Sequence, residues 1–224
     1  MIKREMYMKR IRPFIGNDLI KVMTGIRRAG KSVMLELIQE ELIASGIDAD
    51  NFICINFEDL RNVHLLNAMA LHEEILKRAE QLKGKVYLFF DEIQEVEDWE
   101  KCINSFRVSL DCDIYITGSN AKLLSGELAT YLGGRYVEFV IYPFSFLEFL
   151  ELYHTVNSAA SVQECFQKYL LVGGMPYLSN IRYEEEPSKQ YLSDLFNSVQ
   201  LKDIVKRNKV RDVDLLERII AYVM

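Results

Sequence analysis

Gly25-Ile26-Arg27-Arg28-Ala29-Gly30-Lys31-Ser32 satisfies the pattern G-x-x-x-x-G-K-[ST] at each fixed position. Phosphate chemistry accounts for that spacing. The glycines let the chain turn tightly, so that backbone N–H groups point inward at an anion. The lysine reaches the β- and γ-phosphates of a nucleoside triphosphate, and the serine hydroxyl ligates Mg²⁺. A helix opening at Lys31, with Val33 in its first turn, turns its positive dipole end to the same anion. Residues 25–33 are therefore the candidate binding segment. Arg27 and Arg28 either add charge at the nucleotide or are exposed loop arginines.

A second constellation, this one acidic, lies sixty residues on. The apolar run Val86-Tyr87-Leu88-Phe89-Phe90 ends in Asp91-Glu92. A strand that delivers two carboxylates to the edge of a sheet beside bound phosphates suits phosphoryl chemistry. Asp91 would hold Mg²⁺ through water, and Glu92 would polarise the attacking water as a general base. Glu95, Glu97, Asp98 and Glu100 follow closely and read as a solvated face. Kinases and GTPases with such a loop generally lack a base at the position of Glu92. A guanine reader Asn-Lys-x-Asp is missing too, since Asn208-Lys209 continues with Val210-Arg211. Hydrolysis of ATP is the reaction this pattern favours.

Three further places could touch the nucleotide. Asp113-Ile-Tyr-Ile-Thr-Gly-Ser119-Asn120 is a buried-looking strand that ends in small polar residues. Ser119, with Thr117 and Asn120 behind it, could contact the γ-phosphate or simply cap a following helix. Arg135, after Gly133-Gly134, could act as an arginine finger in cis or from a neighbouring subunit, or form a surface ion pair. Gly173-Gly174-Met175-Pro176 offers a flat approach to a planar base, and a helix stop followed by a turn explains it equally.

The elements that must hold these residues follow from periodicity. Strands are expected at 19–24, 51–57, 85–90, 113–117 and 135–142. Helical patterns fill 31–45, 65–82, 99–110 and 121–128, after a short basic helix at 4–15. Strand–helix alternation implies a mainly parallel sheet covered on both faces, a three-layer αβα P-loop NTPase core of class α/β. The continuous apolar run at 86–90 is how a central parallel strand buried on both faces reads. Past Pro143 everything looks helical. Ser161-x-x-Glu164 has the form of a capping box, its helix stops at Gly173, and another runs from Pro187 to about 206. The expected organisation is a core at 1–145 and a helical, lid-like region at 146–224. The last helical pattern, 212–224, stops on apolar residues with no cap. That suggests the front part of a longer protein.

Composition excludes several classes. Half of the 224 residues are hydrophobic, with 12 Phe and 12 Tyr, which does not fit a disordered segment. Eleven Gly and four Pro exclude collagen-like and linker classes. A net charge of −6 argues against a globally basic nucleic-acid coat. The four cysteines form no CxxC pair, so a structural metal site is not expected and a reduced, cytoplasmic setting is. No apolar run reaches the ~20 residues that cross a bilayer. The N-terminus lacks the apolar stretch of a signal peptide. The aromatic run at 142–153 reads as packing rather than base stacking. His64, His72 and His154 read as structural or surface residues.

GIRRAGKS at 25–32, FFDEIQ at 89–94, ITGSN at 116–120, LGGRYVEFVIYPFSFLEFL at 132–150 and GGMPYL at 173–178 stand in order along the chain. Together they resemble prokaryotic AAA-type ATPases, which usually carry a C-terminal domain of unknown function. The resemblance implies that the loop with Asp91 and Glu92 is the ATP and Mg²⁺ site. It implies that Arg135 is a finger, that Pro176 meets the adenine, and that a further C-terminal domain, which some consider nuclease-like, follows. No nuclease signature can be assigned in these residues. The reading that results is an ATP-hydrolysing conformational switch. Its partners would be ATP and ADP, a protein partner or the C-terminal domain, and a homo-oligomer where the finger acts from a neighbour. The alternative is a nucleotide-dependent binding module with little turnover, acting on a protein or on DNA. It is motivated by nine Lys and Arg against Glu5 and Asp18 in the first 31 residues.

Overall fold

The computed structural model describes residues 2–118, 132–199 and 212–223. Among them, five strands form one sheet: β1 (Ile20–Thr24), β2 (Phe52–Asn56), β3 (Val86–Asp91), β4 (Cys112–Thr117) and β5 (Tyr136–Val140). Their order is β2-β3-β4-β1-β5 and all pairs are parallel. A parallel neighbour needs a crossover, and four helices of the core are α1 (Glu5–Ile11), α2 (Lys31–Ala44), α3 (Ala68–Ala79) and α4 (Trp99–Ser109).

The two-residue period of a strand sends alternate side chains to opposite layers. On one face Val22, Leu88, Phe90, Ile114 and Ile116 join Leu71 and Ile75 of α3 and Ile103 and Phe106 of α4. On the other, Met23, Tyr87, Phe89, Tyr115 and Phe139 join Tyr7 and Ile11 of α1 and Met34, Ile38 and Leu42 of α2. This is the three-layer αβα architecture the sequence implies, with the sheet wholly rather than mainly parallel. All six residues of β3 are buried, as a central strand with two covered faces requires.

Element ends differ from the expectations by a few residues, with local causes. The helix expected over 65–82 is a 3₁₀ segment, Leu60–Leu65, followed by α3. Asn67 separates them: its side chain accepts from Met69 N at 2.9 Å and caps α3. The first helix ends at Ile11 and passes into a 3₁₀ turn that contains Pro13, which cannot donate a helical bond. The helix expected over 121–128 lies outside the described residues.

The chain divides into two compact units, residues 1–148 and 149–224. The second holds most of α5 (Phe146–Val156), with α6 (Val162–Val172), α7 (Glu185–Val199) and α8 (Val213–Val223). Ser161 and Glu164 form the capping box of α6. The next helix begins at Glu185, two residues before Pro187, because proline is tolerated anywhere in a first turn. Within this unit Phe149 is fully buried and contacts the rings of Tyr153, Tyr169 and Tyr183 at 5.3, 5.2 and 4.8 Å. In the first unit Phe144 is buried but Tyr142 is exposed, so the packing expected for 142–153 holds for part of that run. Among the described residues no helix is long and apolar enough to cross a membrane.

Candidate active site

The loop after β1 is shaped by its glycines. Gly25 has φ 135°, and a Cβ there would stand 2.1 Å from Ile141 O. Ile141 N donates to Thr24 O at 2.8 Å, so the strand-exit backbone after β5 lies directly against the loop. Gly30, with φ 97°, is the residue from which α2 opens. Lys31 and Ser32 thus fall at the helix N-terminus, where free N–H groups and the dipole favour an anion.

Lys31 is buried, and its Nζ donates to Gly25 O at 3.3 Å and Ile26 O at 3.2 Å. Glu92 Oε1 stands 3.8 Å away. Burial pushes this ammonium below its ordinary value of 10.5, against the opposing pull of Glu92 and Asp91. Of the other loop residues, Ala29 is buried, Val33 is half-buried, and Ile26, Arg28 and Ser32 are exposed. Arg27 is half-buried and lies 3.7 Å from Glu58.

Asp91 closes β3 and is held from both neighbouring strands. Asn56 stands level with it at the end of β2 and donates Nδ2 to Asp91 Oδ2 at 3.0 Å. Thr117, at the end of β4, donates its hydroxyl to Asp91 Oδ1. The same hydroxyl accepts from Glu92 N at 3.0 Å. Glu92 adopts a left-handed backbone, φ 55° and ψ 49°, which is uncommon for a side chain of its size and turns it out of the strand direction. Gln94 Nε2 donates to Glu92 Oε2 at 2.5 Å. The carboxylate can only accept, so the amide orientation is fixed by chemistry.

The structure brings Lys31, Asp91 and Glu92 together where β1, β3 and β4 end side by side. It adds Asn56, Gln94 and the locking role of Thr117, none of which the sequence reading gave. A polar residue at the end of an apolar strand was the available signal for Asn56. Its level with Asp91 needs the strand register. Ser119 and Asn120 lie outside the described residues. The acidic face is exposed at Glu95, Glu97 and Asp98, while Glu100 is half-buried.

Arg135 stands elsewhere. It is exposed, and its carbonyl accepts from Ile20 N at 3.1 Å, at the start of β1 and β5. Thr24 pairs with Val140 at the other end of the same ladder. Five strand residues span about 17 Å. A parallel sheet puts the start and the end of β5 on opposite edges, so Arg135 stands at the edge opposite the end of β1 from which the loop leaves. Pro176 belongs to the second unit, half-buried at the head of the 3₁₀ turn Pro176–Ser179.

These residues fit a magnesium nucleotide. A glycine turn packed closely on the Ile141 backbone, an ammonium held by two loop carbonyls, and a serine hydroxyl at a helix start suit phosphates. An oriented carboxylate suits the cation.

Residues 17–150 match the family model described as an AAA domain. The chain is 41% identical over 223 residues to an uncharacterized protein of Haemophilus influenzae, covering 99% of this chain and 55% of that protein. It is 35% identical over 203 residues to an uncharacterized protein of Methanocaldococcus jannaschii, covering 87% and 44%. The chain spans about half the length of these curated relatives. Among solved structures, C. elegans PCH-2 is similar with a TM-score of 0.54 at 13% identity, over 84% of this chain and 63% of that one. At that identity the likeness is one of fold.

Proposed function

As the chain belongs to the AAA domain family, we propose that it binds ATP with Mg²⁺ at the edge where β1, β3 and β4 end, hydrolyses it, and uses the cycle as a conformational switch on a partner. The observation that carries this reading is the approach of Lys31 Nζ to Glu92 Oε1 at 3.8 Å beside an Asp91 held by Asn56 and Thr117. An ammonium for phosphate, a carboxylate for a cation and a second carboxylate for water then occupy one small region.

In this proposal the N–H groups of 25–33 cradle the phosphates and Lys31 neutralises them. Ser32 and, through water, Asp91 would hold Mg²⁺, which when bound would supply positive charge to the transferring phosphate. Glu92 takes the proton of the attacking water, and its fixed backbone and its bond from Gln94 hold it in position for that. Arg135 acts on the site of a neighbouring copy, because it stands at the edge opposite its own loop. Pro176 meets the base by family resemblance alone. The partner, or the remainder of a chain as long as the relatives, receives the conformational change.

Nucleic acid is less well supported as that partner. At least five of the nine basic residues in the first 31 are within ion-pair distance of a carboxylate: Arg4 with Glu148, Arg12 with Glu5 and Glu41, Lys21 with Asp113, Arg27 with Glu58 and Lys31 with Glu92. Little concentrated positive charge is left for phosphate backbones.

The test is phosphate release and ATP binding by the full-length protein and its Lys31→Ala and Glu92→Gln variants. Lys31→Ala should lose binding. Glu92→Gln should retain binding and lose about 100-fold or more in turnover. Unchanged turnover in Glu92→Gln removes Glu92 as the base, and binding without turnover in the parent favours the binding-module alternative.

A further inference from the structure

Arg4 lies 21 residues before the phosphate loop, outside any motif, yet its guanidinium is buried and held by several partners. Its side chain is 1% exposed. Nη1 donates to Ala29 O at 3.0 Å, inside the loop. Nη2 donates to Tyr142 O at 2.8 Å, just past β5. Nε donates to Glu148 Oε1 at 2.8 Å, on the first turn of α5. The guanidinium also sits 4.7 Å from the ring of Tyr7 and 5.0 Å from that of Phe144. The Tyr7 hydroxyl accepts from Tyr142 N at 3.0 Å, a second tie between α1 and the same segment. Arg4 itself has φ 44°, a left-handed backbone that a non-glycine residue adopts only when its surroundings hold it there.

This geometry has a consequence for the loop. A trans peptide is planar, and its C=O and N–H point in opposite directions. Ala29 O and Gly30 N–H belong to one such plane. Anchoring Ala29 O on Arg4 therefore fixes the direction of Gly30 N–H, one of the loop donors. The other two arms of the guanidinium hold 142–148, the stretch by which the chain leaves the sheet and enters α5. Gly25 packs on Ile141 O immediately before that stretch.

We propose that Arg4 is a positioning residue for the nucleotide site: it aims the Gly30 N–H and makes the binding-competent shape of the loop depend on the path of residues 141–148. The proposal rests on the nucleotide-binding reading above and deepens it, since it names the device through which the site and the exit toward the helical unit are coupled. Coupling of this kind is reciprocal: what holds the exit segment strengthens nucleotide binding, and nucleotide steadies the exit segment. Arginine is required because three acceptors, one in the loop and two in 142–148, surround one planar cation. Lysine presents its donors from one point, which does not match acceptors spread around the plane of a guanidinium.

The test uses full-length protein and a fluorescent ATP analogue, with and without Mg²⁺. Arg4→Lys should bind about tenfold more weakly and Glu148→Gln about threefold, from loss of charged hydrogen bonds. Lys3→Ala, an exposed neighbour, should match the parent. Thermal melting without nucleotide gives the separate structural effect. A merely structural Arg4 would lower the melting midpoint and leave the dissociation constant of the folded protein at the parent value. That result in Arg4→Lys and Glu148→Gln overturns the proposal, and Glu148→Gln alone decides if Arg4→Lys does not fold. A parent protein that binds no ATP overturns the function reading and this proposal with it, whereas failure of the clamp alone shows as parent-like affinity in the variants.

Discussion

Asn56 and Asp91 stand opposite each other where β2 and β3 end, and the Asn56 amide donates to Asp91 Oδ2 at 3.0 Å. With the Thr117 hydroxyl on the other oxygen, the carboxylate is held from two sides. Asn56 is exposed, so replacing it disturbs little packing. Asn56→Ala should raise the Mg²⁺ concentration needed for half-maximal hydrolysis about tenfold, the usual effect of removing a partner that orients a metal ligand. ATP binding measured without Mg²⁺ should not change. A magnesium titration of phosphate release checks both.

Gln94 holds Glu92 by a single short hydrogen bond, and its own Oε1 is buried without a hydrogen-bond partner among the described residues. Gln94→Leu keeps the volume and removes the donor. Turnover should fall about tenfold with the ATP dissociation constant unchanged, because the proposed general base loses orientation rather than the site losing ligand contacts. Steady-state kinetics beside equilibrium binding separates the two.

At the other pole of the sheet, Lys21 and Asp113 form an ion pair with both side chains fully buried. Asp113 also accepts from the Tyr115 hydroxyl and from Gly16 N, each at 2.7 Å. Lys21→Met leaves a buried carboxylate without its cation and should cost about 3–5 kcal/mol. The expected result in urea denaturation is a large drop in midpoint with little change in slope.

The Arg4–Glu148 pair predicts a response to acid. Burial alone would raise the Glu148 carboxyl, but hydrogen bonds from Arg4 and Ser145, with the Arg4 charge, leave it below its ordinary value of 4.5. A carboxyl lowered in the folded state contributes stability above about pH 4.5. That contribution is lost as pH falls through the lower native value. Glu148→Gln should therefore be less stable than the parent at neutral pH, and the difference should narrow below pH 4.5. Thermal melting across pH 3–7 would show a constant offset instead if the pair were not formed.

Much of this was legible in order along the chain. Gly25, Gly30, Lys31 and Ser32 are read from spacing, since a tight anion-binding turn followed by a helix permits few other residues. Asp91 and Glu92 are read from their place at the end of an apolar run. Asn56 was not readable, because nothing local says which residue of β2 ends level with Asp91. Thr117 was visible as a polar strand end, but its bond to Asp91 spans 26 positions. Arg135 is read as a finger in cis or from a neighbour, and spacing alone does not choose between the two. Only the direction of the strand within the sheet decides which edge it occupies.

The sequence by itself determined the strand–helix alternation, the phosphate loop and the paired carboxylates. Each depends on contacts within a few residues, where backbone conformation, periodicity and side-chain type suffice. The tertiary structure alone decided the parallel order β2-β3-β4-β1-β5, the two-sided hold on Asp91, and the burial of Arg4 against Ala29, Tyr142 and Glu148. Those contacts join segments up to 144 positions apart. Their partners are chosen by packing and by the need to satisfy buried charge, for which linear spacing carries no signal.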